Sequence, residues 1–195
     1  YAPHKFESYG EEEIKAVEET LRSGWLGGQG PKSVEFEEAI AKRFGKKHGV
    51  FVNSGSSACL LAIAALDLPK GSKIITPACT FSTTLAPIIQ LGYVPVFVDV
   101  DLTTYCATVD DIMAVIDDDV KAIMLPNLIG NKPDWEFLKS TLVNAGRDDI
   151  YLIEDSADTI TKTECTDVAT TSFYASHVIT AGGVGGMVMF NDQKH

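Results

Sequence analysis

Apolar residues recur along this chain in two rhythms, one helical and one of short continuous runs. After an extended start, Ile14, Val17 and Leu21 of EEEIKAVEETLRSG fall on one helical stripe, which Gly24 closes. A loop, GWLGGQGPK, follows. SVEFEEAIAKRFG then reads as a second helix, with Ser33 as N-cap, acids in its first turn and Gly45 after its end. Short apolar runs take over from there: GVFV (49–52), KIIT (73–76), VPVFV (94–98), KAIML (121–125) and IYLI (150–153). Between them lie the helical stretches SSACLLAIAAL, STTLAPIIQLG, TVDDIMAVID and DWEFLKSTLVNAG. VATTSFY and GMVMF add two more strands around a glycine turn.

Short strands that are apolar on both faces and alternate with helices need a cover on each side. The fold class expected is therefore α/β, with a mainly parallel sheet inside a three-layer α/β/α domain. No internal repeat, low-complexity segment or linker interrupts the pattern. In such sheets ligands collect beyond the carboxyl ends of the strands.

Composition narrows the reading. With 195 residues, 45% hydrophobic and 22% charged, the chain can bury one good core. A formal charge of −11 argues against non-specific binding to nucleic acid or to an anionic membrane face. No apolar run reaches the roughly 20 residues of a membrane span, and YAPHKFESYGEEE lacks the order of a signal peptide. Cys59, Cys79, Cys106 and Cys165 lie far apart without a CxxC pair, which suits reduced thiols in the cytoplasm rather than a zinc site.

The strand ends carry the candidate chemistry. Asn53-Ser54-Gly55-Ser56-Ser57 follows GVFV and opens a helix, so it is either a phosphate cradle or plain N-capping by serine. Phe81, after KIIT, offers its face to a flat ring or joins the core. Asp99 and Asp101 follow VPVFV, where acids either hold a metal or sugar or cap a turn; Asn127 stands at the same rim. Glu154, Asp155 and Asp158 form the strongest polar cluster of the chain. A carboxylate at the mouth of an apolar strand needs a cationic partner to stay ionised, and no lysine or arginine lies close in sequence. A protonated heterocyclic nitrogen on a ligand would supply one. Together with Ser172 and His177 on the last strand end, this ordered set matches what pyridoxal phosphate requires.

The motifs GWL followed by Gly30-Pro31, NSGSSA, PACTFSTT, PVFVDVDLTTY, IEDSAD and SFYASHVIT…GG carry a family resemblance over essentially the whole chain. The chain resembles the DegT/DnrJ/StrS family of sugar-nucleotide aminotransferases, within the aspartate-aminotransferase fold (fold type I). The resemblance implies an N-terminal helix and substrate loop over 1–32 and a cofactor-binding large domain over 33–195, without the family's small C-terminal domain. It implies that Ser56, Ser57 and Ser172 hold the cofactor phosphate, that Phe81 stacks on the pyridine ring, that Asp155 pairs with the pyridinium nitrogen and that Asp158 also belongs to the cofactor site. Trp25 and Leu26 would lie near substrate, and a homodimer is implied.

His177 stands where the usual members carry the lysine that anchors the cofactor covalently. The framing residues Ser172, Phe173, Ile179 and Thr180 are in place, and neither Lys162 nor Lys194 sits in a suitable motif. Imidazole cannot form that link, but it moves protons near neutral pH. This substitution, with Asp158 three residues after Asp155, resembles the small branch that removes the C3 hydroxyl from nucleotide-linked 4-keto-6-deoxy sugars with pyridoxal or pyridoxamine phosphate. Two alternatives stay open: an aminotransferase whose lysine has been replaced, and a non-catalytic homologue that binds the cofactor or the sugar nucleotide.

Overall fold

Backbone-breaking and capping residues set most element boundaries in the computed structural model, which describes residues 9–192 and 194–195. The extended start expected before the first helix lies outside these residues. Helix α1 (Glu11–Ser23) ends as anticipated at Gly24, whose φ of 76° is left-handed and whose N–H reaches Leu21 O. Helix α2 (Pro31–Arg43) starts earlier than expected. Its N-cap is Gly30 and Pro31 occupies the first helical position, so Ser33 lies inside the helix and its first turn holds no acid. Proline wins that position because its φ is already helical and its missing N–H would have had no intrahelical partner.

The remaining elements are β1 (His48–Val52), α3 (Gly55–Ala64), β2 (Lys73–Pro77), α4 (Ser82–Gln90), β3 (Val94–Val98), α5 (Val109–Ala114), β4 (Val120–Pro126), a single 3-10 turn (Leu128–Gly130), α6 (Trp135–Asn144), β5 (Tyr151–Asp155), β6 (Val168–Ser172) and β7 (Gly186–Phe190). Ser54, Thr108 and Asp134 cap α3, α5 and α6, each accepting a first-turn N–H through its side chain.

One seven-stranded sheet runs in the order β1-β7-β6-β5-β4-β2-β3. The pairs among β2 to β6 are parallel, while β7 runs antiparallel to both β6 and β1. This is the mainly parallel sheet expected, with one reversed strand. Alternation along the strands feeds two layers. Ile74, Met124, Ile153 and Val188 pack against Ala58, Ile63 and Ile88 of α3 and α4. Ile75, Ile123, Leu125 and Leu152 turn the other way, onto Ile112, Trp135 and Leu138 of α5 and α6. Ala169, Met187 and Met189 continue that second layer against Ile40, Ala41 and Phe44 of α2. Each fully buried Ile, Leu or Phe contributes about 1.5–3 kcal/mol.

Burial on both faces holds for the inner strands and fails at the edges. Val50 and Phe51 of β1, and Val94 and Phe97 of β3, are exposed. The apolar stripe of α1 is also open: Ile14, Val17 and Leu21 are exposed, as are Trp25 and Leu26 after it. Among the described residues, α1 is tied to the body near Tyr9, whose hydroxyl donates to Thr180 O at 2.9 Å and accepts the Gly182 N–H at 3.0 Å.

Candidate active site

Because β1, β2, β4, β5 and β6 point the same way, Val52, Pro77, Pro126, Asp155 and Ser172 end on one rim. A cavity of about 770 Å³ opens there. Ser54, Gly55, Ser56, Phe81, Asp155, Asp158, Ser172 and His177 all line it. Among the described residues, His177 is the only one lining it that can carry positive charge, set against two carboxylates.

The cradle at the start of α3 is built by close approach. A Cβ on Gly55 would come within 2.8 Å of Ser172 Cβ, and one on Gly186 within 2.3 Å of Ser54 C and O. Glycine alone lets the loop after β1 settle onto the ends of β6 and β7. The Ser57 N–H donates to Ser54 Oγ at 3.1 Å and the Ala58 N–H to Ser54 O at 3.0 Å. That leaves the first-turn N–H groups of Gly55 and Ser56 without an intrahelical partner, at the cavity wall. So Ser54 does cap the helix, and the Gly55 and Ser56 N–H groups lie beside that cap. Ser57 is not part of the cavity wall; its hydroxyl and N–H both face Ser54. Ser172 Oγ accepts the Tyr174 N–H at 3.3 Å.

Asp155 lies at the bottom. Its Oδ2 accepts the Thr84 hydroxyl at 2.8 Å and the Cys59 thiol at 3.6 Å, and its Oδ1 accepts the Ala157 N–H at 3.3 Å. Burial pushes the Asp155 carboxyl above its ordinary range, and the Thr84 hydroxyl works against that. Burial likewise pushes the Cys59 thiol well up, so it serves as a neutral donor. Phe81 is 67% exposed at the mouth, which removes the core alternative for its ring.

Strand alternation divides the acidic cluster. Glu154 faces away from the cavity, where Asn127 Nδ2 donates to its Oε2 at 3.3 Å. Asn127 lines the cavity, but its side chain is taken up by Glu154, Ser156 and Trp135. Asp101 accepts the N–H groups of Thr103 and Thr104 at 2.9 and 3.0 Å, the turn cap that was one reading of it. Neither Asp99 nor Asp101 lines the cavity. Among the described residues no group of three or more His, Cys, Asp or Glu could hold a metal ion, and no helix is long and apolar enough to cross a membrane.

Beyond the sequence reading, the structure adds Thr84, Cys59 and Thr170 around Asp155, and the Ile129 N–H, which donates to Asp158 Oδ2 at 2.9 Å. Thr84 lies in the TFSTT run, and its place on the turn after Phe81 was the one available signal. Ile129 acts through its backbone, which leaves no trace in residue type.

The chain is similar to known proteins. The chain is 39% identical over 176 residues to a Saccharopolyspora spinosa protein named dTDP-4-dehydro-2,6-dideoxy-D-glucose 3-dehydratase, covering 82% of this chain and 37% of that one. It superposes with a TM-score of 0.87 and 32% identity on E. coli GDP-4-keto-6-deoxy-D-mannose-3-dehydratase with bound hydrated PLP, covering 99% of this chain and 52% of the other. An aminotransferase from Psychrobacter cryohalolentis gives a TM-score of 0.81 at 27% identity, covering 97% and 49%. The chain thus spans about half the length of these proteins, or less. The sheet, its helices and the rim are those of a fold type I large domain. Residues 7–195 match the family model itself, and the chain belongs to the DegT/DnrJ/EryC1/StrS aminotransferase family.

Proposed function

We propose that this chain forms the cofactor half of a 3-dehydratase acting on a nucleotide-linked 4-keto-6-deoxy sugar, with pyridoxal or pyridoxamine phosphate. The observation that carries the reading is His177 in the cavity that also holds Asp155 and the serine loop, with no lysine lining it among the described residues. The residues fit the cofactor. A buried carboxyl held above its ordinary range wants a cation, and a pyridinium nitrogen is one. The Gly55 and Ser56 N–H groups, with the Ser56 and Ser172 hydroxyls, would hold the phosphate, and Phe81 would cover a ring face. Once bound, the cofactor supplies a conjugated electron sink.

His177 then differs from a lysine in what it leaves alone. It forms no covalent link, so the cofactor amine stays available to the sugar's ketone. Its Nε2 would accept a proton from a carbon that the bound cofactor makes acidic and would return it to the C3 hydroxyl, which would leave as water. Asp155 would hold the ring in its acceptor form. The aminotransferase reading lacks the anchoring amine it needs at this position. The exposed stripe of α1 supports a homodimer, and four unpaired cysteines suit a reducing cytoplasm.

The test presents 4-keto-6-deoxy sugar nucleotides and pyridoxamine phosphate to the full-length protein, with mass spectrometry reading loss of water. His177→Asn should lower dehydration by about 10²–10⁴-fold while cofactor absorbance still titrates. Dehydration at the wild-type rate in that variant overturns the reading. A wild-type protein that binds cofactor yet never releases water favours the non-catalytic homologue.

A further inference from the structure

His177 reaches the cavity with one ring nitrogen beside a carboxylate. Its Nδ1 stands 3.4 Å from Asp158 Oδ1, at ion-pair distance. Asp158 is held in turn through its other oxygen, Oδ2, which accepts the Ile129 N–H at 2.9 Å. Ile129 sits at φ 50° and ψ 28°, in the left-handed region that a β-branched residue strongly disfavours. Such a conformation persists only where the surroundings over-determine it.

The surroundings here are a buried polar network. Asn127, at the base of the turn, is 1% exposed. Its backbone N–H donates to Asp155 O at 2.8 Å, and its carbonyl accepts the Gly130 N–H at 3.2 Å. Its side-chain amide donates to Ser156 Oγ at 2.6 Å and to Glu154 Oε2, while its Oδ1 accepts the Trp135 indole N–H at 3.1 Å. A continuous line of contacts therefore runs from Trp135 through Asn127 and the turn to Asp158 and His177.

We propose that Asp158 is a positioning residue for His177, and that the Ile129 turn aims it. This rests on the reading of His177 as the proton carrier. A neutral imidazole has one N–H and one bare nitrogen, and an ionised carboxylate can only accept. Asp158 therefore puts the imidazole proton on Nδ1 and leaves Nε2 bare, as the base. The resemblance assigns Asp158 to the cofactor; its contacts assign it to the imidazole. In residues of this type the tautomer matters as much as the position, since a base with its proton on the wrong nitrogen cannot accept one.

Side-chain nitrogen-15 NMR of His177 in the full-length protein, without added cofactor, reads the tautomer directly. The wild type should show Nδ1–H. In Asp158→Asn, whose amide can donate to Nδ1, the Nε2–H form should become the majority, and Asp158→Glu should restore much of the wild-type signal. With cofactor and sugar nucleotide, Asp158→Asn should lower kcat by about 10²-fold with KM changed less than about threefold. Trp135→Phe removes only the indole donor at the far end and should shift the tautomer part of the way. An unchanged tautomer in both Asp158→Asn and Trp135→Phe overturns the proposal. A shifted tautomer with an unchanged dehydration rate upholds the pair and overturns the reading of His177 instead.

Discussion

Glu154 and Asp155 are adjacent on one strand and meet opposite surroundings. Alternation sends Glu154 to the face covered by α2 and α6, beside Asn127 and the buried Lys46. It sends Asp155 to the α3 and α4 face, among Thr84, Cys59 and Thr170. Burial raises both carboxyls above their ordinary range. For Glu154 the opposing influences come from inside the chain: Thr163, the Lys46 charge and the Asn127 amide all favour its ionised form. Lys46 is itself fixed, donating to Thr166 Oγ1 at 2.9 Å and to Thr163 O, and burial lowers its own pKa. Asp155 has hydrogen-bond donors but, among the described residues, no lysine or arginine in its cavity, and Asp158 pushes it further up. Glu154 has a cation of the chain near it, although its Oε1 is buried without a hydrogen-bond partner; Asp155 is left for whatever cation enters. That contrast is what separates a structural polar group from a site, and residue type alone does not reveal it.

Breaking the closed half should cost the most. Glu154→Ala strips Lys46 of its buried counter-charge and leaves the Asn127 amide short of an acceptor. We expect a loss of about 3 kcal/mol, seen as a Tm lower by roughly 6–12 °C. Glu154→Gln, which also removes the charge but keeps an acceptor for Asn127, should lose less by about the worth of that hydrogen bond, roughly 1 kcal/mol. Equal losses in the two variants would show that the carboxylate charge, and not the Asn127 hydrogen bond, accounts for the effect.

The open half should respond in the opposite sense. Asp155→Asn removes a buried group that prefers to be neutral, so the unloaded protein should keep or gain stability while pyridoxal phosphate affinity falls by about 10²-fold, near 2.7 kcal/mol. The pH dependence follows. A carboxyl raised in the fold binds its proton more tightly there than in the unfolded chain. Its contribution is therefore fully present below the ordinary carboxyl pKa of about 4 and is lost as pH rises through the folded value. Exposed acids such as Asp117 and Asp149, held low by Lys73 and Arg147, slope the other way. The difference between wild-type and Asp155→Asn denaturation curves cancels them. That difference should grow in favour of the variant as pH rises from about 4, then flatten. A flat difference from the start would mean that Asp155 ionises in the fold without hindrance.

How much of this was legible in the sequence follows from the same contrast. The sheet was readable because short doubly apolar runs such as KAIML fit nothing but inner strands. The rim was readable because parallel strands put their ends together, so GSS, Phe81, Asp155 and Ser172 could be grouped before their distances were known. The division of Glu154 from Asp155 was hidden: IYLI reads as ending before them, and only the observed extension of β5 through Asp155 fixes which face each takes. Ser33 gave way to Pro31 because two signals for one helix start competed. Ser57 left the wall because Ser54 took its N–H, a choice between neighbouring serines that composition cannot make. The Ile129 turn was illegible, since the strained backbone and its donor belong to no side chain.

The smallest effect sharpens the comparison most finely. Thr84 is fully buried, and its hydroxyl makes the shortest hydrogen bond to the Asp155 carboxylate, at 2.8 Å. It favours the ionised carboxyl, so it prepares Asp155 for a cation that the fold does not supply. Thr84→Val keeps the shape and removes that donor, a loss of about 1 kcal/mol of stabilisation of the carboxylate. Two consequences separate this from simple destabilisation. The Asp155 carboxyl, followed by carbon-13 NMR in the unloaded protein, should titrate at higher pH than in the wild type. Pyridoxal phosphate should bind about fivefold more weakly, because each cofactor bound must now ionise a more reluctant acid. If affinity falls while the titration stays where it was, Thr84 acts through packing rather than through charge. Glu154 would then be the only one of the two acids whose charge the chain itself prepares.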